Sequence, residues 1–176
     1  AVQAQPVAGR TVDPAPTATI PPKATPATPT KPAESVIQQA SRQEADAPNA
    51  TGIGKMRWPA RGRVVAGYGA SSGGKRNDGI DISLPEGTAV KAAENGVVIY
   101  AGDGLKEFGN TVLVRHENGL VTVYGHASEI KVKRGETVRR GQDIARSGMS
   151  GNAEQPKLHF EVRKDSAPVD PAKYLE

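Results

Sequence analysis

Cysteine is absent from the 176-residue chain. Its absence excludes disulfides, thiolate metal sites and a cysteine nucleophile, and agrees with an oxidising compartment without requiring one. Aromatic side chains are scarce, one Trp, four Tyr and two Phe, and they fall unevenly along the chain. No apolar run reaches the roughly 20 residues of a bilayer-spanning helix. The N-terminus lacks the basic-then-apolar plan of a signal peptide, and any export signal or lipid anchor is expected upstream. Neither sign of charge dominates: 23 Lys and Arg face 19 Asp and Glu. A balance of +4 favours an anionic partner, whether cell-wall polymer, lipid headgroup or nucleic acid, but selects none of them.

What is present is unevenly spread. Residues 1–50 hold nine of the 14 Pro, one of the 20 Gly, no aromatic residue, and four basic residues against four acidic ones. The stretch from Pro14 to Pro32 can neither bury apolar surface nor sustain a hydrogen-bond ladder, and reads as an extended tether. Glu34 to Ala45 is free of Pro and places Val36, Ile37 and Ala40 on roughly one face. A short helix there is marginal in isolation, so the segment reads as a solvated linker with transient helicity. If it does form, its apolar side has the alternative of covering the functional cleft.

From Lys55 the texture changes to short β-branched runs separated by Gly, Asn and Asp. Strands are expected near Arg63 to Tyr68, Gly79 to Ser83, Ala89 to Ala93, Gly96 to Gly102, Asn110 to His116, Leu120 to His126, Ile130 to Val132, Asp143 to Ser147 and Leu158 to Lys164. Asn95-Gly96 and Asn118-Gly119 carry a strong hairpin signal, because both residue types tolerate positive φ. Val112, Val114, Val121 and Val123 are expected to give the second hairpin one buried face. The fold class is all-β, an antiparallel sandwich or partly closed barrel over residues 55–176, preceded by a Pro/Ala/Thr-rich linker over residues 1–50.

Three His are available for chemistry. His116 ends a strand beside the turn His116-Glu117-Asn118-Gly119, where an exposed polar residue needs no special role. His159 lies in Lys157-Leu158-His159-Phe160-Glu161, whose period of two sets Lys157, His159 and Glu161 on one face and Leu158 and Phe160 on the other. Two further segments stand out, Asn77-Asp78-Gly79-Ile80-Asp81 and Val123-Tyr124-Gly125-His126-Ala127.

These segments resemble the LytM or lysostaphin-type zinc peptidoglycan endopeptidases, whose signature is HxGxD, then a YGH-like segment, then HLHFE. Supporting matches run from Trp58-Pro59 to Val169-Asp170-Pro171, in the family's order. The resemblance implies zinc held by the first His and the Asp of HxGxD and by the second His of HxH, with the two other His activating water. Asp81, His126 and His159 retain those positions, whereas Asn77 stands for the first ligand and Lys157 for the first His of HxH. A catalytic zinc needs three protein donors and an open position. Asn77 removes one donor, and Lys157 adds a cation: two unit charges about 4 Å apart at an effective dielectric near 20 repel by roughly 4 kcal/mol. We therefore expect no metal, no other cofactor and no peptidase activity. Asp81 is left as a plain acceptor or as a partner for Lys157.

Within that family, Asn in place of the first His and a basic residue before LHFE resemble the degenerate LytM-domain amidase activators of the NlpD and EnvC type. The implication is an envelope protein, periplasmic and held to a membrane only through an upstream anchor, that activates an N-acetylmuramoyl-L-alanine amidase splitting septal peptidoglycan. In such proteins the vestigial cleft takes a helix of the amidase and relieves its autoinhibition. The groove residues implied are Asn77, Asp81, His126, Lys157 and His159. Phe108, in Lys106-Glu107-Phe108-Gly109, is either an anchor at the rim or a loop residue tucked over the sheet. Peptidoglycan itself is a further possible partner; nucleic acid is not expected. The competing readings are an active zinc endopeptidase and a plain peptidoglycan-binding module.

Overall fold

Short alternating runs, each ended by Gly, Pro or an Asn/Asp turn, have too little length to bury a face alone and must pair with one another. In the computed structural model, which describes residues 33–43 and 45–176, they do so almost entirely antiparallel. The Pro14 to Pro32 tether lies outside the described residues. A helix, α1 (Ala33–Ser41), is followed by β1 (Arg63–Ala66), β2 (Ser71–Ser72), β3 (Lys75–Arg76), β4 (Ile80–Ser83), β5 (Ala89–Lys91) and β6 (Gly96–Leu105). Then come β7 (Gly109–Arg115), β8 (Val121–Ile130), β9 (Thr137–Val138), β10 (Asp143–Ser147), β11 (Lys157–Lys164) and β12 (Ala167–Val169).

The main ladder runs β1-β4-β11-β8-β7-β6-β9 and is open, ending at β1 and β9. β10 branches from β8 and carries β5, β12 pairs with β11, and β2 and β3 form a separate small hairpin. One face of the ladder and the β5/β10 branch share a core in which Ile82, Val90, Val112, Tyr124, Ile144 and Phe160 are fully buried. The expected Ile130 to Val132 strand is instead the end of β8, whereas β2, β3, β9 and β12, two or three residues each, were not foreseen.

The other face is also covered. Ala33, Ile37 and Ala40 of α1 pack on Val97, Ile99, Leu113, Val121 and Val123. The Val pairs expected on one face therefore divide: Val112 and Val114 enter the main core, Val121 and Val123 the α1 layer. The cause is register, which sets Leu113 opposite Val123 and Val112 opposite Tyr124. α1 is docked rather than solvated, because complete burial of Ile37 contributes about 1.5–3 kcal/mol that an isolated nine-residue helix lacks. Its C-terminal carbonyl at Ser41 accepts from Arg115 Nη1 at 2.8 Å, a cation at the negative end of the helix.

Of the two Asn-Gly turns, only one makes a hairpin. At Asn118-Gly119, β7 turns into β8, with Gly119 at φ 77° and its N–H donating to His116 O. At Asn95-Gly96 the flanking strands part: β5 pairs with β10, β6 with β7 and β9. Gly96 is required there by close approach, since a Cβ would stand 2.5 Å from Arg115 O.

Candidate functional site

Strand β11 organises the site. Leu158, Phe160 and Val162 point into the core, so Lys157, His159, Glu161 and Arg163 all point the other way. β4 pairs with β11 so that Asp81 is opposite His159, and β8 places Gly125 opposite His159 on the other side. Directly opposed residues project to the same face, which brings Asp81 and His159 into contact.

The contacts form one chain of alternating charge. Lys157 Nζ donates to Asp81 Oδ2 at 3.0 Å, and His159 Nδ1 to Asp81 Oδ1 at 2.6 Å. His159 Nε2 donates to Glu161 Oε1 at 2.9 Å, and Arg163 Nε to Glu161 Oε2 at 2.7 Å. Arg163 then donates through Nη1 and Nη2 to the two oxygens of Glu34 on α1, both at 2.9 Å. Burial alone would depress His159, but the hydrogen bonds to Asp81 and Glu161 outweigh it and lift its pKa to about 9. Asp81 moves the other way: burial opposes its ionisation, yet His159 and Lys157 hold it down at about 2. His159 is thus an imidazolium clamped between two carboxylates at neutral pH.

His126 is its opposite. Burial lowers its pKa to about 4, and the neighbouring cations His159 and Lys157 push the same way. Nδ1 of the neutral ring donates to Ser150 O at 2.8 Å, which leaves the lone pair on Nε2. The residue sits at φ 63°, where a non-glycine residue stores about 1–3 kcal/mol of strain, at a β8 bulge held by its own N–H to Phe108 O at 2.6 Å. Phe108 lies between the groove and the α1 layer. Its ring stacks on His159, centroids 4.6 Å apart at 11°, and it also packs against the α1 layer. Gly125 makes room, as a Cβ there would stand 3.1 Å from Phe108 Cβ.

Asn77 precedes β4. Its Oδ1 accepts from Gly79 N at 3.2 Å, while its Nδ2 is buried without a partner. Asn77, Asp81, Phe108, His126, Lys157 and His159 all line one groove of about 560 Å³, which Lys75, Arg76 and Glu107 line as well. Among the described residues, none of α1 lines it, so α1 does not cover the cleft. Its apolar side matches the aliphatic patch at Val97 and Leu113, not a groove floored by charges.

These donors do not fit a zinc ion. Both nitrogens of His159 carry protons toward carboxylates, both oxygens of Asp81 are taken by cations, Asn77 Oδ1 faces a backbone N–H, and an ammonium stands beside them. Only His126 keeps a free lone pair, and among the described residues no group of three or more His, Asp or Glu could hold a metal.

His116 was expected to be exposed, and is buried. Its Nδ1–H donates to Asn95 O at 2.8 Å, and Nε2 meets Thr122 Oγ1 at 2.9 Å, which leads on to Tyr124. Desolvation lowers its pKa, and it ties the turn after β7 to the core rather than serving the groove. Sequence reasoning missed the extension of the site through Glu161 and Arg163 to α1. The alternation Lys157, His159, Glu161, Arg163 was the available signal.

The profile of peptidase family M23 matches residues 75–171. The chain is 43% identical over 132 residues to the cell division protein DipM of Caulobacter vibrioides, covering 72% of this chain and 22% of that protein. It is 38% identical over 125 residues to the murein hydrolase activator NlpD of Escherichia coli, covering 71% and 32%. Its fold resembles that of a putative peptidase M23 from Pseudomonas aeruginosa, with a TM-score of 0.69 at 30% identity over 80% of this chain and 58% of the other. The chain spans between 22% and 46% of the length of the curated relatives it matches.

Proposed function

The chain belongs to peptidase family M23, and we propose that it works without chemistry of its own, as an activator of N-acetylmuramoyl-L-alanine amidases that split septal peptidoglycan. One observation carries this reading: Asp81 and His159, at two of the positions where zinc ligands belong, are locked to each other, and Lys157 is locked to Asp81 as well. A site whose ligand groups have become ion-pair partners offers a preformed groove with fixed charges and an aromatic wall at Phe108, and no means of polarising a scissile bond.

An activator requires only differential affinity. A segment of the amidase that binds the groove solely when the amidase is open shifts the enzyme from about 1:99 to 99:1 open for about 5.5 kcal/mol of preference. Asn77, Asp81, Phe108, His126, Lys157 and His159 are the proposed contact residues. The names of the relatives, a murein hydrolase activator and a cell division protein, support the same assignment. Since peptidoglycan lies outside the inner membrane, the domain would act in the cell envelope.

Dye release from labelled sacculi tests the proposal. The chain alone releases nothing, it raises release by its amidase severalfold, and Lys157→Glu loses the stimulation while keeping the circular dichroism of the parent. Release by the chain alone that disappears on chelation would make it a hydrolase. Binding to sacculi without stimulation of any amidase would reduce it to a peptidoglycan-binding module.

A further inference from the structure

A second cavity, of about 750 Å³, lies apart from the groove where residues 57–62 run past β5. Its size is that of small-molecule sites, about 300–1,000 Å³. Trp58, Val64 and Thr88 line it together with Arg57, Arg61, Lys91 and Glu176, whose carboxylate is paired with Arg140 at 3.3 Å. The indole is half-buried, backed by the main core, and oriented by its Nε1–H, which donates to Glu176 O at 2.5 Å. Val64, 41% exposed on edge strand β1, continues the apolar wall. Lys91 is paired with Asp143 at 2.6 Å. The guanidinium groups of Arg57 and Arg61 have no hydrogen-bond or ion-pair partner among the described residues.

An oriented indole, an exposed aliphatic wall and two uncommitted guanidiniums match one ligand chemistry well. The C–H face of a pyranose packs on the aromatic ring, and a guanidinium takes a carboxylate through two parallel hydrogen bonds. Purely anionic ligands leave the indole and Val64 unused, and neutral glycans leave the arginines unused.

We infer that this basin binds the carboxylate-bearing saccharide-peptide unit of peptidoglycan, at a site separate from the groove. The inference rests on the peptidoglycan-related reading of the domain and is independent of whether the groove docks an amidase. Its consequence is geometric: the chain holds the polymer at one place while the groove remains open at another.

Trp58 is the only tryptophan, so its fluorescence reports this basin directly. The whole chain is titrated with a purified disaccharide-tetrapeptide, with an N-acetylglucosamine oligomer lacking carboxylates, and with inorganic phosphate. A saturable emission change with the disaccharide-tetrapeptide is expected. The N-acetylglucosamine oligomer should bind at least tenfold more weakly, and phosphate should not compete at equal concentration. Arg61→Ala, an exposed position that leaves the core intact, should weaken binding about tenfold, Arg57→Ala/Arg61→Ala more, and Lys157→Glu not at all. No saturable change, equal competition by phosphate, or loss in Lys157→Glu with retention in the arginine variants each overturns the inference. The amidase assay does not enter, so failure here leaves the groove proposal standing or falling on its own test.

Discussion

At the scale of single residues, the decisive event is the exchange of lone pairs for protons. His159 in a metal site would present a nitrogen lone pair, but between Asp81 and Glu161 it presents two N–H groups. Its pKa is raised from 6.5 to about 9, so its contribution to stability is complete below pH 6.5 and is lost as pH rises through 9. At 1.36 kcal/mol per pKa unit that contribution is of the order of 3 kcal/mol. Asp81 is lowered from 3.8 to about 2, so its contribution is present above pH 4 and lost as pH falls through 2. His126, lowered to about 4, favours the folded state above pH 6.5 and progressively less as pH falls toward 4. We expect the urea midpoint to fall between pH 7.5 and 9.5 in the parent and to fall less in His159→Gln. Imidazole proton shifts should place the His159 titration near 9; a midpoint near 6.5 would mean that the clamp does not exist in solution. Reversing the exchange should restore metal: Asn77→His/Lys157→His releases Asp81 from the ammonium and adds two imidazoles, and metal analysis should then find zinc near one equivalent, against far less in the parent.

At the scale of elements, β11 and α1 act together. The four alternating polar residues of β11 form a wire whose far end is the bidentate pair of Arg163, 1% exposed, with Glu34, 44% exposed. Because Glu34 faces solvent, its pair is worth little more than a surface one, about 1 kcal/mol. Ile37, fully buried, is worth more: Ile37→Ala should weaken α1 docking by about 2–4 kcal/mol. The expected signature is local. Limited proteolysis in residues 42–50 should accelerate at least tenfold in Ile37→Ala and only severalfold in Glu34→Gln, while the global melting temperature changes less. Equal protection in both variants would mean that the helix does not depend on this packing.

At the scale of the whole molecule, two distant segments close the β5/β10 side. Met56 bridges in parallel to Leu175, Met56 N–H donates to Tyr174 O, and Glu176 N–H to Met56 O. Leu175, 5% exposed, joins the main core. Leu175→Ala should therefore destabilise the entire sheet by about 2–4 kcal/mol, read as a single cooperative shift of the urea midpoint; a shift confined to fluorescence of Trp58 would show that this contact is only a local clasp.

Much of this organisation was legible in the residues. Strands β4, β6, β7, β8, β10 and β11 follow from alternation and turn chemistry, because side-chain period and φ tolerance are properties of a few neighbouring residues. That Asn77 and Lys157 stand where the resembled signature has His is likewise a local reading of the sequence. Short strands such as β9 and β12 were not, since two or three residues carry no period. The parting of β5 from β6 at Asn95-Gly96 was hidden for a related reason: a turn signal states that the chain bends, not which strands then pair.

By itself, then, the sequence determined which side chains share a strand face, and that Asn77 and Lys157 stand at two positions where the resembled signature has His, one of them a ligand position. Only the tertiary structure decided that Lys157 and His159 neutralise Asp81 rather than repel across an empty pocket, that His116 is internal, and that α1 lies on the aliphatic patch instead of in the groove. The reason is distance along the chain. His159 and Asp81 are 78 residues apart, Arg163 and Glu34 are 129 apart, and the protonation state of a buried group is set by whichever neighbours the fold brings to it.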